Sequence, residues 1–304
     1  MDHPLRDDSN ISLRGRVVQL LKIGFSVLRD SNIVFVCGGN EEHQMRPQFE
    51  TEFPNILACY EYFKPEYAMK NYFTLGDHEQ FDIADFEQMV GQLSRAIVLF
   101  PEAPGSFAEL GYFSGEKDLA RKTVLVLDSN HQEADSFISL GPANKIAKIS
   151  QFQPTIQMDY KNPAFGLVAT RILERAALKE RRKRFDKTEF SKLSSFELFA
   201  LIHKVVELLV VATPEDIIYV LRGMYESHVS PSDIKKMISI LVGSERLREV
   251  GDFGHLSVKE GKEQSLLLQE GFKTELFEIK IEISAMLSAA HNGIGEVLKE
   301  LDEC

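Results

Sequence analysis

Two carboxylates flank a Pro-Gly turn in "PEAPGSFAELGYF", residues 101–113: Glu102 before the turn and Glu109 after it. The approach, "AIVLF" over residues 96–100, has the composition of a buried strand, and the spacing predicts a helix over 107–119. A strand handing over to a helix is where open α/β sheets bind ligands. A helix N-terminus at Ser106 offers free N–H groups to phosphate or ribose oxygens. Glu109 lies about one turn into that helix, and its side chain tilts back over the turn. Ionised there, it can attack an anomeric carbon or stabilise the cation left when a glycosidic bond breaks. It can equally serve only to complement the helix dipole.

A second glycine turn, Gly38-Gly39-Asn40, closes the β-branched run "IVFVC", and Arg46 follows shortly after it. Glycine in such a turn lets backbone N–H groups approach a ligand closely. Gly105 does the same for the 104–106 turn. Glu87 is a further carboxylate on the same rim. Glu87 and Glu102 each suit orienting a ribose hydroxyl, protonating a leaving base, or merely facing solvent.

The elements that must position these groups alternate. A helix is expected over 12–28, a strand at "IVFVC", one or two helices over 41–60 and a loop-rich stretch over 64–81. Then come a helix over 83–93, a strand at 96–100, the helix after Ser106, a strand at "TVLVL" and a further strand near 154–158. Strands alternating with helices make a mainly parallel sheet with helices on both faces. Pro163 opens a helix expected to run to Arg184. Residues 171–192 hold nine Lys/Arg against four Asp/Glu, an excess of five positive charges. The plain reading of that basic end, Arg181, Arg182, Lys183 and Arg184 included, is a solvated linker helix; the sharper one is a contact for a polyanion.

The rest reads as helices with marked starts. An apolar stretch covers 196–211; Thr213-Pro214 pairs an N-cap with a proline at the first helical position, and "SPSDIKKMISILVG" repeats the device with Ser230 or Ser232 as the cap. "RLREVGDFGHLSV" then reads as a hairpin, and the C-terminus is helical. Helix, turn, helix and hairpin is the order of a winged helix-turn-helix. The fold class expected is therefore α/β: a Rossmann-like parallel sheet followed by a mostly α winged-helix domain. The boundaries expected are 1–160, 161–192 for the linker helix, and 193–304.

Composition excludes several classes. The 304 residues carry a formal net charge of -11, which argues against nonspecific nucleic-acid binding by the whole surface. No apolar run is long enough for a membrane span, and the polar, acidic N-terminus lacks a signal peptide's apolar core, so a cytoplasmic location is expected. The three cysteines form no CxxC pair, and the eight histidines form no HxH or HExxH, so no metal is expected.

"FVCGGN", "AIVLFPEAPGSFAELGYFS", "RKTVLVLDS" and "SFISLGP" together resemble the effector proteins encoded with bacterial retrons, those with a nucleoside deoxyribosyltransferase-like domain followed by a winged-helix domain. The resemblance is close over the N-terminal half and looser over the C-terminal half. It implies that Glu109 is the catalytic glutamate, that Gly38, Gly39 and Asn40 form the nucleotide-binding loop with Arg46 after it, and that Glu87 orients substrate. Where the deoxyribosyltransferases carry an aspartate shortly before the nucleophile, this chain has Ala103, with Glu102 one residue off. That favours hydrolysis over base exchange. Effectors of this kind are associated with cleavage of nucleotides, NAD among them, and are held in check by the retron reverse transcriptase with its branched multicopy DNA–RNA (msDNA). NAD or a nucleotide is thus the implied substrate, with no separate cofactor, and self-association is implied as well. Two alternatives stay open: a DNA-binding regulator with a nucleotide-sensing domain, and a salvage deoxyribosyltransferase. Residues 193–304 carry 11 Lys/Arg and 19 Asp/Glu, a net of -8, which weighs against the regulator.

Overall fold

The computed structural model of the chain describes all residues except 1, 65, 67–82, 132–135, 177–179, 186–188, 226–228, 252–253, 260–264, 291–293 and 303–304. Most of the stretch expected as a loop over 64–81 therefore lies outside the described residues, as do Lys179 and Lys187. The chain divides into two compact units. One holds 31–65 and 81–179; the other holds 1–30, 66–80 and 180–304. Against the expected boundaries, the first 30 residues belong with the C-terminal part, and the sheet unit runs on to residue 179.

In the sheet unit the strands are β2 (Ile33–Cys37), β3 (Glu61–Phe63), β4 (Ala96–Leu99), β5 (Thr123–Asp128) and β6 (Ile156–Met158). They pair in parallel in the order β3-β2-β4-β5-β6. All five residues of β2 and all four of β4 are buried, as expected of strands covered on both faces. On one face α2 (Met45–Ile56) and α7 (Gly166–Arg175) pack against Val34, Val36, Val98 and Val126. Phe49 is the hub there, its ring 5.7 Å from Phe100 and 5.3 Å from Phe165 in edge contacts. The other face is covered by α3 (Ile83–Leu93), α4 (Pro104–Gly115), α5 (Lys117–Lys122) and α6 (Asn144–Ile149). Its contacts include Phe113 of α4 against Phe35 of β2 at 6.3 Å. The chain visits β2, then β3 on one side, then β4 on the other. The reversal between β2 and β4 is the topological switch point of a doubly wound sheet.

The other unit is built from α1 (Ile11–Ile23), β1 (Phe25–Arg29), β7 (Glu180–Arg184), α8 (Ser195–Leu209), α9 (Pro214–Tyr225), α10 (Pro231–Gly243), β8 (Leu247–Val250), β9 (His255–Val258), β10 (Leu266–Leu268), α11 (Lys273–Ala289) and α12 (Ile294–Asp302). The expected caps are present: Thr213 Oγ accepts from Asp216 N at 3.3 Å, and Ser230, not Ser232, caps α10, its Oγ accepting from Asp233 N at 3.3 Å. Ser194 and Glu197 add a capping box on α8. Residue 212 bridges to Leu256 of β9, so the order is helix, bridge, helix, helix, hairpin.

Two expectations are corrected. Residues 25–29 are not the end of the first helix. Gly24 ends it, and β1 pairs antiparallel with both β7 and β10. Nor are Arg181, Arg182, Lys183 and Arg184 the end of a linker helix: α7 stops at Arg175, and these four residues form β7 with Glu180. Lys and Arg favour helix only weakly, by tenths of a kcal/mol per residue, so pairing with β1 overrides that preference. Strands β3 and β10, three residues each, are also absent from the sequence reading; runs that short carry no resolvable period.

Candidate active site

The switch point brings Cys37 of β2 beside Leu99 of β4, so the loops leaving the two strands meet. Gly38-Gly39 follows β2, and Pro101-Glu102 follows β4. The Glu102 carboxylate reaches across: Oε1 accepts from Gly39 N at 3.0 Å and from Met45 N at 2.9 Å, and Oε2 accepts from Met45 N at 3.0 Å. It thereby caps the N-terminus of α2 from another strand's loop. Space for this comes from the glycines. A Cβ on Gly38 would lie 3.0 Å from Arg46 Cβ and 3.2 Å from Glu102 Oε1. Arg46 is buried and donates to Asn40 Oδ1, which fixes the loop between β2 and α2. Burial pushes the Glu102 carboxyl above its ordinary range, and the N–H groups of Met45, Gly39 and Arg46 hold part of that shift back.

The Pro-Gly turn is braced from within. Ser106 is buried, and its Oγ accepts from Glu102 N and Ala103 N, both at 3.0 Å, while donating to Ala103 O at 2.9 Å. Its hydroxyl is committed to holding Glu102 in place. Gly105 is exposed, with nothing within 4 Å of where a Cβ would stand.

A cavity of about 930 Å³ opens beside Glu102 at the C-terminal ends of β4, β5 and β6. Met45, Phe107, Leu127, Ile138 and Tyr160 give it apolar walls, while Asp128, Asn130, His43, Gln48 and Lys161 bring polar groups. Tyr160 Oη donates to Val126 O at 2.8 Å, and its ring meets Phe100 edge-on at 6.3 Å. Burial, then the charges of Glu102 and Asp128, raise the Tyr160 hydroxyl pKa, so Tyr160 remains a neutral donor and wall. Asn130 is held by Asp128 Oδ1 at 3.1 Å and Asp159 Oδ1 at 2.9 Å. Sequence reasoning missed this tyrosine and the Asp128–Asn130–Asp159 group. The position of "LDSN" directly after a strand was the signal that could have found part of it.

Glu109 is not among the residues that line this cavity. It is the sixth residue of α4 and half-buried. Phe107, two residues earlier, lines the cavity; a step of two residues turns about 200° around a helix. Glu109 therefore lies on the opposite flank, the one it shares with Tyr112, whose hydroxyl donates to Ala84 O of α3 at 3.5 Å. Glu87, one turn further along α3, is half-buried too. The sequence-predicted residues thus fall into two groups on the two flanks of one helix. Gly38, Gly39, Asn40, Arg46 and Glu102 make one, and Glu87 and Glu109 the other; Ser106, three residues before Glu109 and so about 60° from it around the helix, braces the turn. Gly105 stands at the helix end between the two groups. Arg184 is exposed on β7 in the other unit.

Residues 42–249 match the sequence model of a family described as STM3845 retron effector protein. The chain belongs to this retron effector family. An Escherichia coli protein named "Retron Ec86 putative ribosyltransferase/DNA-binding protein" is 31% identical over 154 residues, 49% of this chain and 48% of that protein. Another from Escherichia coli, "Retron Ec73 putative ribosyltransferase/DNA-binding protein", is 29% identical over 122 residues, 39% of each. The chain spans about half the length of the first of these relatives and less of the second. Among the described residues, no cluster of three or more His, Cys, Asp or Glu has a metal-holding arrangement, and no helix is long and apolar enough to cross a membrane.

Proposed function

We propose that this retron effector is an N-glycosidase that hydrolyses the base–ribose bond of NAD or a related nucleotide. The observation that carries the reading is the switch point, where a large cavity lies beside the helix bearing Glu109 and the space over Gly105 in its first turn is unobstructed. The substrate crosses the N-terminal end of α4, one part in the cavity and the scissile bond over the Glu109 flank. There the C1′–N bond breaks, its electron pair leaves with the base, and Glu109 stabilises or captures C1′ until water adds there and releases a proton to solvent. Nicotinamide leaves as a neutral molecule and needs no proton; other bases need a general acid, for which Glu87 stands on the facing helix. The ribosyltransferase in the relatives' names supports glycosyl chemistry of this class. The reading also includes restraint by the retron reverse transcriptase and msDNA, action in the cytoplasm, and self-association. Chromatography of free bases after incubation with NAD and the common nucleotides tests it. Release of nicotinamide or another base is the expected result, and no base from the unrestrained protein under any condition overturns it.

A second reading has one observation in its favour: the helix, bridge, helix, helix, hairpin order of residues 195–258 is that of a winged helix. In that role α10 is the recognition helix, and its lysines, Lys235 and Lys236, are a small complement for phosphates. We read this module as a dock for protein. Salt-sensitive, sequence-specific retardation of duplex DNA would favour the regulator instead.

A further inference from the structure

Glu102 occupies the position where a doubly wound sheet ordinarily holds an anion. The N–H groups of the glycine turn and of the following helix's first turn are the usual phosphate cradle at a switch point. Here they already have an anionic partner, because Gly39 N and Met45 N both donate to the Glu102 carboxylate at 2.9–3.0 Å. The fit is built rather than incidental. Gly38 leaves room for the carboxylate, since a Cβ there would stand 3.2 Å from Glu102 Oε1, and Ser106 clamps the two N–H groups at residues 102 and 103. A second observation concerns the cavity wall as a whole. Among the described residues, the cavity wall carries the carboxylates of Glu102 and Asp128 against one lysine, Lys161, and one histidine, His43, which bring no excess of positive charge for a phosphate.

We infer that Glu102 is a resident anion that sets specificity: it fills the switch-point cradle, so the cavity takes a ring-and-sugar part of its ligand that lies away from the scissile bond and leaves phosphate outside. The inference rests on the glycosidase reading and deepens it. An ionised carboxylate has lone pairs to spare beyond those engaged by Gly39 and Met45, and these suit the hydroxyls of a ribose. Phe107, Tyr160, Leu127 and Ile138 give apolar walls against which a heteroaromatic ring can pack. A phosphate approaching the same N–H groups meets a like charge instead.

The test uses the full chain carrying Glu109→Gln, so that turnover does not consume the ligand. Calorimetry compares adenosine, guanosine, cytidine and uridine, each with its 5′-monophosphate. With Glu102 present, adding the phosphate is expected to change affinity by less than about threefold. In Glu102→Ala the freed N–H groups accept the phosphate, and the monophosphate gains about tenfold or more over its nucleoside. Glu102→Asp keeps the charge but draws it back by one methylene, and its ratio falls between the two. Thermal melting checks folding; if the alanine variant does not fold, the ratios in the Glu102 and Asp proteins decide. A monophosphate bound about tenfold or more tightly than its nucleoside with Glu102 intact would sink the inference. So would a ratio that neither variant moves, or no binding by any of the nucleosides. Failure of the glycosidase reading is seen separately, as absence of base release from the protein with Glu109 intact.

Discussion

The two units treat buried charge in opposite ways. In the sheet unit, Arg46 is the one charged side chain fully buried among the described residues, and it stands at the strand ends beside Glu102. The layers between sheet and helices are apolar. The other unit buries Glu197, His203, Lys204, Asp216, Arg246 and His255 among its helices. Lys204 pairs with Glu207 and lies 5.1 Å from the Phe25 ring centre, and Arg246 lies 5.5 Å from that of Phe199. The Asp216 carboxylate accepts from Thr213 N at 2.9 Å, Thr213 Oγ at 2.8 Å and His3 N at 3.1 Å. Shifted titration occurs in both units: burial lowers His203 to about 4 and raises Glu102. A perturbed group alone therefore does not mark a site. Only in the sheet unit does one stand at the ends of parallel strands beside a cavity.

The comparison breaks first at Glu109. Replacement by Gln keeps the size and removes the charge. Base release is expected to fall by about 10³-fold or more, with the melting temperature unchanged, because the side chain is half-buried at a helix flank. Full activity in the Gln variant would reduce Glu109 to a residue that complements the helix dipole.

Asp216 probes the opposite expectation. Asp216→Ala leaves the buried N–H groups of His3 and Thr213 without their acceptor. Chemical denaturation should show a loss of about 3 kcal/mol. Base release per folded molecule should not change. A selective loss of activity would mean that the buried charges of this unit serve chemistry after all.

The pH dependence of His203 sharpens the same point more gently. Its folded pKa, about 4, lies below the ordinary histidine value of 6.5 because burial disfavours the cation, with Arg246 adding repulsion. The unfolded chain thus binds the proton more readily between those values. The stabilising term is whole above about pH 6.5, is lost as pH falls toward 4, and is constant below that. Between about pH 7 and pH 4.5 the loss is on the order of 2 kcal/mol. Urea denaturation of His203→Gln should show a shallower acid slope than the parent; equal slopes would remove His203 from the account.

The smallest effect is expected on β7. Gln at Arg181, Arg182, Lys183 and Arg184 should leave base release unchanged. Co-purification with the reverse transcriptase–msDNA complex should weaken, more so as salt rises, through loss of phosphate contacts. Retention that is indifferent to both salt and substitution would make this strand a solvated edge.

Much of the site was legible because its parts are local. "PEAPGSFAEL" contains the strand end, the turn and the helix that carry Glu102, Ser106 and Glu109. The role of Glu102 was not legible, since its partners Gly39 and Met45 are 63 and 57 residues away in sequence. The turns at 38–40 and 104–106 read as open cradles for phosphate and ribose. In the folded chain one is filled by Glu102, and the hydroxyl of the other, Ser106, is spent on its own turn. The division of Phe107 and Glu109 between two flanks follows from helical spacing and was available in principle; Glu102 precedes the helix, so its place could not be read that way. What was missing was which flank faces a cavity.

By itself the sequence determined the short-range features. Continuous β-branched runs became strands buried on both faces, and Ser194, Thr213 and Ser230 capped the helices they precede, because periodicity and capping act within a few residues. Tertiary structure alone decided the strand order, which sets Gly39 against Glu102, and the pairing that turned a lysine- and arginine-rich segment into β7. Those outcomes depend on contacts between distant residues, where burial and strand pairing outweigh local preferences of a few tenths of a kcal/mol per residue.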